Sequence, residues 1–228
     1  GMAHIGIGPV GMKILVETIP TIPGLVEVVI SDNKCFGTKE ADYKGSGMWR
    51  HDVDNEQSGW SALLDAMKGS GIQKLGFADI GLGPIGMKTL ADTIPTTPGL
   101  VGVDISRNQI SADVAPALIE SIQNSNIKTL VIGKSASLAV GGSDATSLDY
   151  SDQDLGPGEI MLISALVIPT TPGLVEVVIS ENKCFGDKWK NAKADKYSRY
   201  QSEGRIHDID KDQSGWAALC DAIKGSGI

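Results

Sequence analysis

The chain has 228 residues, 41% of them apolar, and its 20 Lys and Arg face 28 Asp and Glu for a net charge of −8. An ordinary apolar content with a modest charge excess excludes a disordered chain. An acidic balance excludes a nucleic-acid binder, which needs clustered Lys and Arg, and no apolar run reaches the ~20 residues that cross a membrane.

In chain order, the phrase IGIGPVGMK from Ile5 leads through a glycine–proline turn into a helix, which IPTIPGL from Ile19 ends. Leu25-x-x-Val28-x-Ile30-x-x-Asn33-x-Cys35 follows, and its alternation of apolar and polar residues is that of a short strand with one buried face. An insertion spans about Thr38 to Glu56, and EQSGWSALLDAMKGSGI from Glu56 then reads as a helix. Ile72-x-x-Leu75-x-Phe77-x-x-Ile80-x-Leu82 repeats the strand pattern more weakly. After it, Met87, Leu90, Ala91 and Ile94 recur at three and four, making one apolar stripe. Pro95 and Pro98 stop that helix, and Gly99 lets the chain reverse. Leu100-x-x-Val103-x-Ile105-x-x-Asn108-x-Ile110 is a full strand copy, followed by a helix carrying Leu118, Ile119 and Ile122. Ile127-x-x-Leu130-x-Ile132 is a weaker one, followed by a second insertion from Ser135 to Asp154. Leu174-x-x-Val177-x-Ile179-x-x-Asn182-x-Cys184 precedes a third insertion, from about Asp187 to Asp212, and a last helix.

These segments are copies of one another. Gly24 to Gly37 and Gly173 to Gly186 agree at 13 of 14 positions, and Glu56 to Ile72 recurs as Asp212 to Ile228. The intervals between first strand positions are 47, 28, 27, 47 and 54 residues, so a 27- or 28-residue unit carries three insertions. Each unit reads strand, turn, helix, turn, and none buries its apolar face alone, so the units must stack.

The pattern L-x-x-L-x-L-x-x-N-x-L resembles the leucine-rich repeat, in its ribonuclease-inhibitor-like subclass of 28-residue units. The resemblance covers nearly the whole chain outside the insertions. It implies an α/β solenoid in the shape of a horseshoe, a single domain of about five repeats over residues 1–228, with parallel strands on the concave face and helices on the convex one. It also implies a protein-binding module that works through the concave face and its rim.

On that reading the face turned to a partner carries Glu27, Val29, Ser31 and Asp32 in the first strand segment and Lys74 and Asp79 in the second. Asp104 and Arg107 follow, then Val131 and Lys134, then Glu176, Val178 and Glu181. Its centre is small and apolar and its margins are charged, as in an interface with a core and a rim. The first and third insertions hold five of the eleven aromatics, Tyr43, Trp49, Trp189, Tyr197 and Tyr200, and Trp49 and Trp189 either join the candidate binding set or fold down over the apolar ends of the strand layer.

Asp54, Glu56, Ser58 and Asp65 place oxygen side chains at positions 1, 3, 5 and 12 around Gly59, and Asp210, Asp212, Ser214 and Asp221 repeat this around Gly215. The spacing is that of a calcium loop, with Asp in place of the usual final Glu, so a calcium-responsive scaffold is one alternative function. The other reading of the same residues is helix capping by the serines and preceding acids. A structural spacer, or a self-assembling repeat segment, is a further alternative. No enzyme and no bound cofactor are expected: His51 and His207 each sit beside an Asp, but no acid, base and nucleophile converge. Cys35 and Cys184 fall on apolar repeat positions and Cys220 on a helix, which suits buried free thiols in an intracellular, cytoplasmic protein. Ala3 to Pro9 matches Ala78 to Pro84, and Ile228 is the counterpart of Ile72. The chain is therefore expected to be a piece of a longer array or to stack head to tail.

Overall fold

A two-residue apolar alternation over only three or four residues makes a strand too short to stand alone, so it is stable only beside its copies. The computed structural model describes residues 1–40, 49–51, 54–108, 110–185 and 212–226. It starts with α1 (Pro9–Thr18), β1 (Glu27–Val29) and a hairpin of β2 (Thr38–Glu40) and β3 (Trp49–His51). Then come α2 (Ser58–Met67), β4 (Lys74–Gly76), α3 (Pro84–Thr93), β5 (Gly102–Asp104) and α4 (Ala115–Gln123). The remainder is β6 (Thr129–Ile132), β7 (Ala136–Ala139), β8 (Ser147–Asp149), α5 (Pro157–Leu166), β9 (Glu176–Val178) and α6 (Ser214–Ser226).

The protein is an α/β fold whose main sheet has five strands in the order β1-β4-β5-β6-β7. The first four are parallel and in register, with Val28, Leu75, Val103 and Leu130 side by side. The helices form the second layer, each packed on the next from α1 to α6. Val28, Ile30, Leu75, Phe77, Val103, Ile105, Leu130 and Ile132 enter the core from the strands, and Met12, Leu63, Met87, Leu90, Leu118 and Ile163 meet them from the helices. Cys35 and Cys184 are buried free thiols, as their repeat positions require, and Cys220 is half-buried.

Asn33, Asn108 and Asn182 tie the turns after the strands. The amide of Asn108 donates to the carbonyls of Ile105 and Ser106 in its own turn and Phe77 in the turn before, while its oxygen accepts from the N–H groups of Ile80 and Leu82. Asn182 does the same for Tyr150, Gln153 and Leu155. One asparagine thus satisfies two turns, and the turn below it manages with Ile80 or Gln153 in its place. As expected, α3 ends at Thr93, two residues before Pro95, and Pro95 lies in the 3-10 turn Ile94–Thr96 that follows it directly.

The segment from Ser135 to Asp154 is not the plain surface insertion that the sequence suggested. It contains β7, which runs back antiparallel to β6, and β8, which is parallel to β9. Ala145-x-x-Leu148-x-Tyr150-x-x-Gln153-x-Leu155 is therefore another copy of the strand pattern, disguised by Ala, Tyr and Gln in the Leu, Leu and Asn slots. The copy that begins at Ile127 has β7 where the others have a helix. The first insertion carries the β2–β3 hairpin, and the third lies outside the described residues up to Lys211.

Candidate functional site

Because the four parallel strands are in register, their outward positions line up in rows. Glu27, Lys74, Gly102 and Thr129 make one row, and Val29, Gly76, Asp104 and Val131 the next. Each of the two inner strands carries glycine at one of these positions, Gly102 in the first row and Gly76 in the second, while Lys74 and Asp104 occupy the others. Val29 leans over Gly76 so closely that a Cβ there would stand 2.9 Å from its Cγ1, and the stem of Lys74 passes Gly102. Between Val29 and Val131 lies a groove of about 460 Å³, deepened where Gly76 and Gly102 lack side chains, with Asp104 standing beside Val131 in the same row. Ser31 closes one end of the groove, and Glu27, Lys74, Lys128 and Asp104 give it charged walls.

A second charged line follows at the turn positions just past the strands. Asp32, Asp79, Arg107, Asp152 and Glu181 all have φ between 50° and 59°, as does His4. Asp tolerates this left-handed geometry better than most residues, whereas Arg107 and Glu181 are held in it by the asparagine that follows them. Arg107 stretches across Asp79, at 3.9 Å, to Asp32, at 2.6 Å, and His4 Nε2 approaches the same Asp32 carboxylate at 3.3 Å. Lys134 pairs with Asp152.

The structure thus brings six of the candidate binding residues, Glu27, Val29, Ser31, Lys74, Asp104 and Val131, to one groove. It gathers Asp32, Asp79 and Arg107 into an ion cluster at the edge of the sheet. Glu176 and Val178 stand apart from both, on β9, which pairs with β8 and not with the main sheet. Glu181 follows them in the next turn. Trp49 opens β3, opposite Glu40; Trp189, Tyr43, Tyr197 and Tyr200 lie outside the described residues.

The calcium pattern takes another form. The Asp54 carboxylate accepts from the backbone N–H groups of Gly83 at 3.0 Å, Ile85 at 2.7 Å and Gly86 at 3.0 Å, which caps α3 in the next unit. Glu56 and Asp212 accept from the N–H groups of Ser58 and Ser214 and cap α2 and α6. From Ser58 onward the chain is helix rather than an ion-wrapping loop, and Asp65 sits in its last turns, paired with Lys68. At ~1.5 Å of rise per residue, Asp65 is about 10 Å along the axis from Ser58. Asp221 pairs with Lys224 in the same way, and Asp210 lies outside the described residues. Among the described residues no group of three or more His, Cys, Asp or Glu could hold a metal ion.

One ionisable group escaped sequence reading. Glu159, in the first turn of α5, is only 6% exposed and accepts from the Gly156 N–H at 3.0 Å. Burial pushes its carboxyl up to about 7, and Asp154 acts in the same sense, against backbone N–H groups of Glu159, Gly156 and Ile110 that pull it down. It borders a cavity of about 250 Å³ shared with Arg107, Asn108, Gly133, Lys134 and Asp154. The local signal was the acid three residues after a glycine at a helix start, the place of a capping carboxylate.

Compared with protein-family models the chain matches none, and compared with curated proteins it matches none. Among the described residues, no helix is long and apolar enough to cross a membrane.

Proposed function

We propose that the chain is a leucine-rich-repeat protein of the 28-residue class, curved with its strands on the concave side, and that it holds a partner protein on the strand face without catalysis. The observation that carries this reading is the groove over Gly76 and Gly102. It has an apolar lip on each side, Val29 and Val131, a floor deepened by the missing side chains of Gly76 and Gly102, and charged walls. A partner side chain laid into it is desolvated at its tip while its flanks meet charges, which is the arrangement of an interface anchor within a polar rim. In-register parallel strands and asparagine-tied turns support the family reading.

The test is affinity capture from a native extract with the chain and with a Val29→Lys, Val131→Lys variant of equal helix content. The two lysines fill the groove with charge, so proteins held there are lost from the variant's eluate. Recovery of the same proteins by both baits sends the binding site elsewhere.

A further inference from the structure

Between β7 and β8 the sheet is split. β7 bonds to β6 and β8 bonds to β9, and no strand pairing joins β7 to β8. The register decides which backbone groups face the gap. Val140 N–H donates to Lys128, so the residues of β7 that bond β6 are Ala136 and Leu138. Ser137 and Ala139 turn their N–H and C=O groups the other way. On β8, Thr146 and Tyr150 bond β9, which leaves Ser147 and Asp149 turned toward β7. All four residues are exposed, and among the described residues their N–H and C=O groups have no backbone partner. At one end the lips are tied by the Lys134 N–H donating to the Gln153 carbonyl at 2.7 Å. Farther along, Gly141 and Gly142, with φ of 81° and 134°, carry the chain away from β7 before it returns in β8.

We propose that this split takes one extended segment of a partner protein as an added strand, with an apolar residue flanked by Lys or Arg. Two unpaired strand edges are a template for main-chain pairing, and a peptide that adds to such an edge gains affinity from backbone bonds and specificity from alternate side chains. The core side of β7 is apolar, with Ala136 and Leu138 buried, so an inward residue of the added strand is apolar. The β8 lip is acidic, with exposed Asp149 on β8 and exposed Glu176 opposite Ser147 on β9, while β7 offers uncharged Ser137 and Ala139, so the outward residues are basic. This goes beyond the proposed groove, since it uses backbone groups at a different place.

The probe is a phage-displayed random decapeptide library selected on the full chain. A Ser137→Pro, Ala139→Pro variant removes two N–H groups that point into the split and leaves the β6 bonds intact, as proline on an edge does. Selected peptides alternate an apolar residue with Lys or Arg, lose at least tenfold in affinity on the proline variant, and keep it on the Val29→Lys, Val131→Lys variant. Amide hydrogen exchange gives the second measurement: in the free chain Ser137 and Ala139 exchange much faster than Leu138, and in the complex they are protected. Protection of those amides in the free chain, a selection without binders, or binders indifferent to both prolines overturns the proposal. Binders lost only on the lysine variant overturn it too, while supporting the groove.

Discussion

Arg107 and Asp32 lie two strand turns apart, and the Arg107 Nη2 nevertheless stands 2.6 Å from the Asp32 carboxylate. The Asp32 side chain is 13% exposed and that of Arg107 45%, so one partner is mostly withdrawn from water and the other is not. Arg107→Gln leaves Asp32 beside Asp79 with His4 as its remaining neighbour. The expected loss is about 1 kcal/mol at low salt, shrinking in 1 M salt, as screening of a half-exposed pair requires. Urea unfolding of Arg107→Gln, Asp32→Asn and the double variant checks this; a loss independent of both salt and Asp32 would refute it.

Asp54 is expected to matter for α3 rather than for a metal. Asp54→Ala removes the acceptor of three backbone N–H groups and lowers stability by about 2 kcal/mol. Asp54→Asn, which keeps one oxygen and tolerates the φ of 57° found there, loses less. Thermal melts of the three proteins in millimolar calcium and in chelator give the measurement, and their order is the same in both.

Two glycines separate packing from face. A Cβ at Gly158 would run into the carbonyl oxygens of Ile110 and Ser111, the latter at 2.8 Å, and backbone does not yield as a side chain does. Gly158→Ala therefore costs about 2–3 kcal/mol. At Gly102 the nearest atom is Lys74 Cγ at 3.6 Å, and Gly102→Ala stays within about 0.5 kcal/mol of the parent. The same methyl group enters the proposed groove, so it changes partner affinity without changing the unfolding midpoint.

Glu159 gives the fold a pH dependence of known sign. Its carboxyl is raised to about 7 in the folded chain from 4.5, so the folded state holds the proton more tightly than the unfolded one. Its stabilisation is complete below about 4.5 and is lost as pH rises through about 7, amounting to about 2–3 kcal/mol between pH 5 and pH 8. Glu159→Gln, which does not ionise, lacks this pH dependence. Unfolding midpoints of parent and variant at both pH values decide it, and a constant difference between them contradicts the assignment.

The strand positions were legible because burial on one face imposes a period of two: Val28, Ile30, Val103 and Ile105 are all in the core. Asn108 was legible as a turn residue, though not as one that serves two turns, since its second set of partners is 26 to 31 residues away. The same distance hid the role of Asp54. Local spacing made it an ion ligand or a cap for the helix just after it, and its partners are in the helix after that. β8 was missed for another reason. Ala145, Tyr150 and Gln153 fill the repeat slots without matching them, and only the register with β9 reveals the copy. The groove depended on what glycine leaves out at positions 76 and 102, and no pattern of apolar residues reports an omission.

The unit without a helix has a mechanical consequence. A strand takes up about 4.8 Å along a sheet, whereas neighbouring helices stand about 8–10 Å apart, so each paired strand and helix tilts the next toward the strand side. Between α4 and α5, which touch directly, the strand side must fit β6, β7 and the split before β8 begins. On the curved stack proposed above, this reverses the wedge locally and relaxes the bend. Residues 135–143 are then a shim: on that reading, lengthening or shortening this stretch changes the angle between the units that end in β6 and those that start in β8, and leaves the packing within each set as it is.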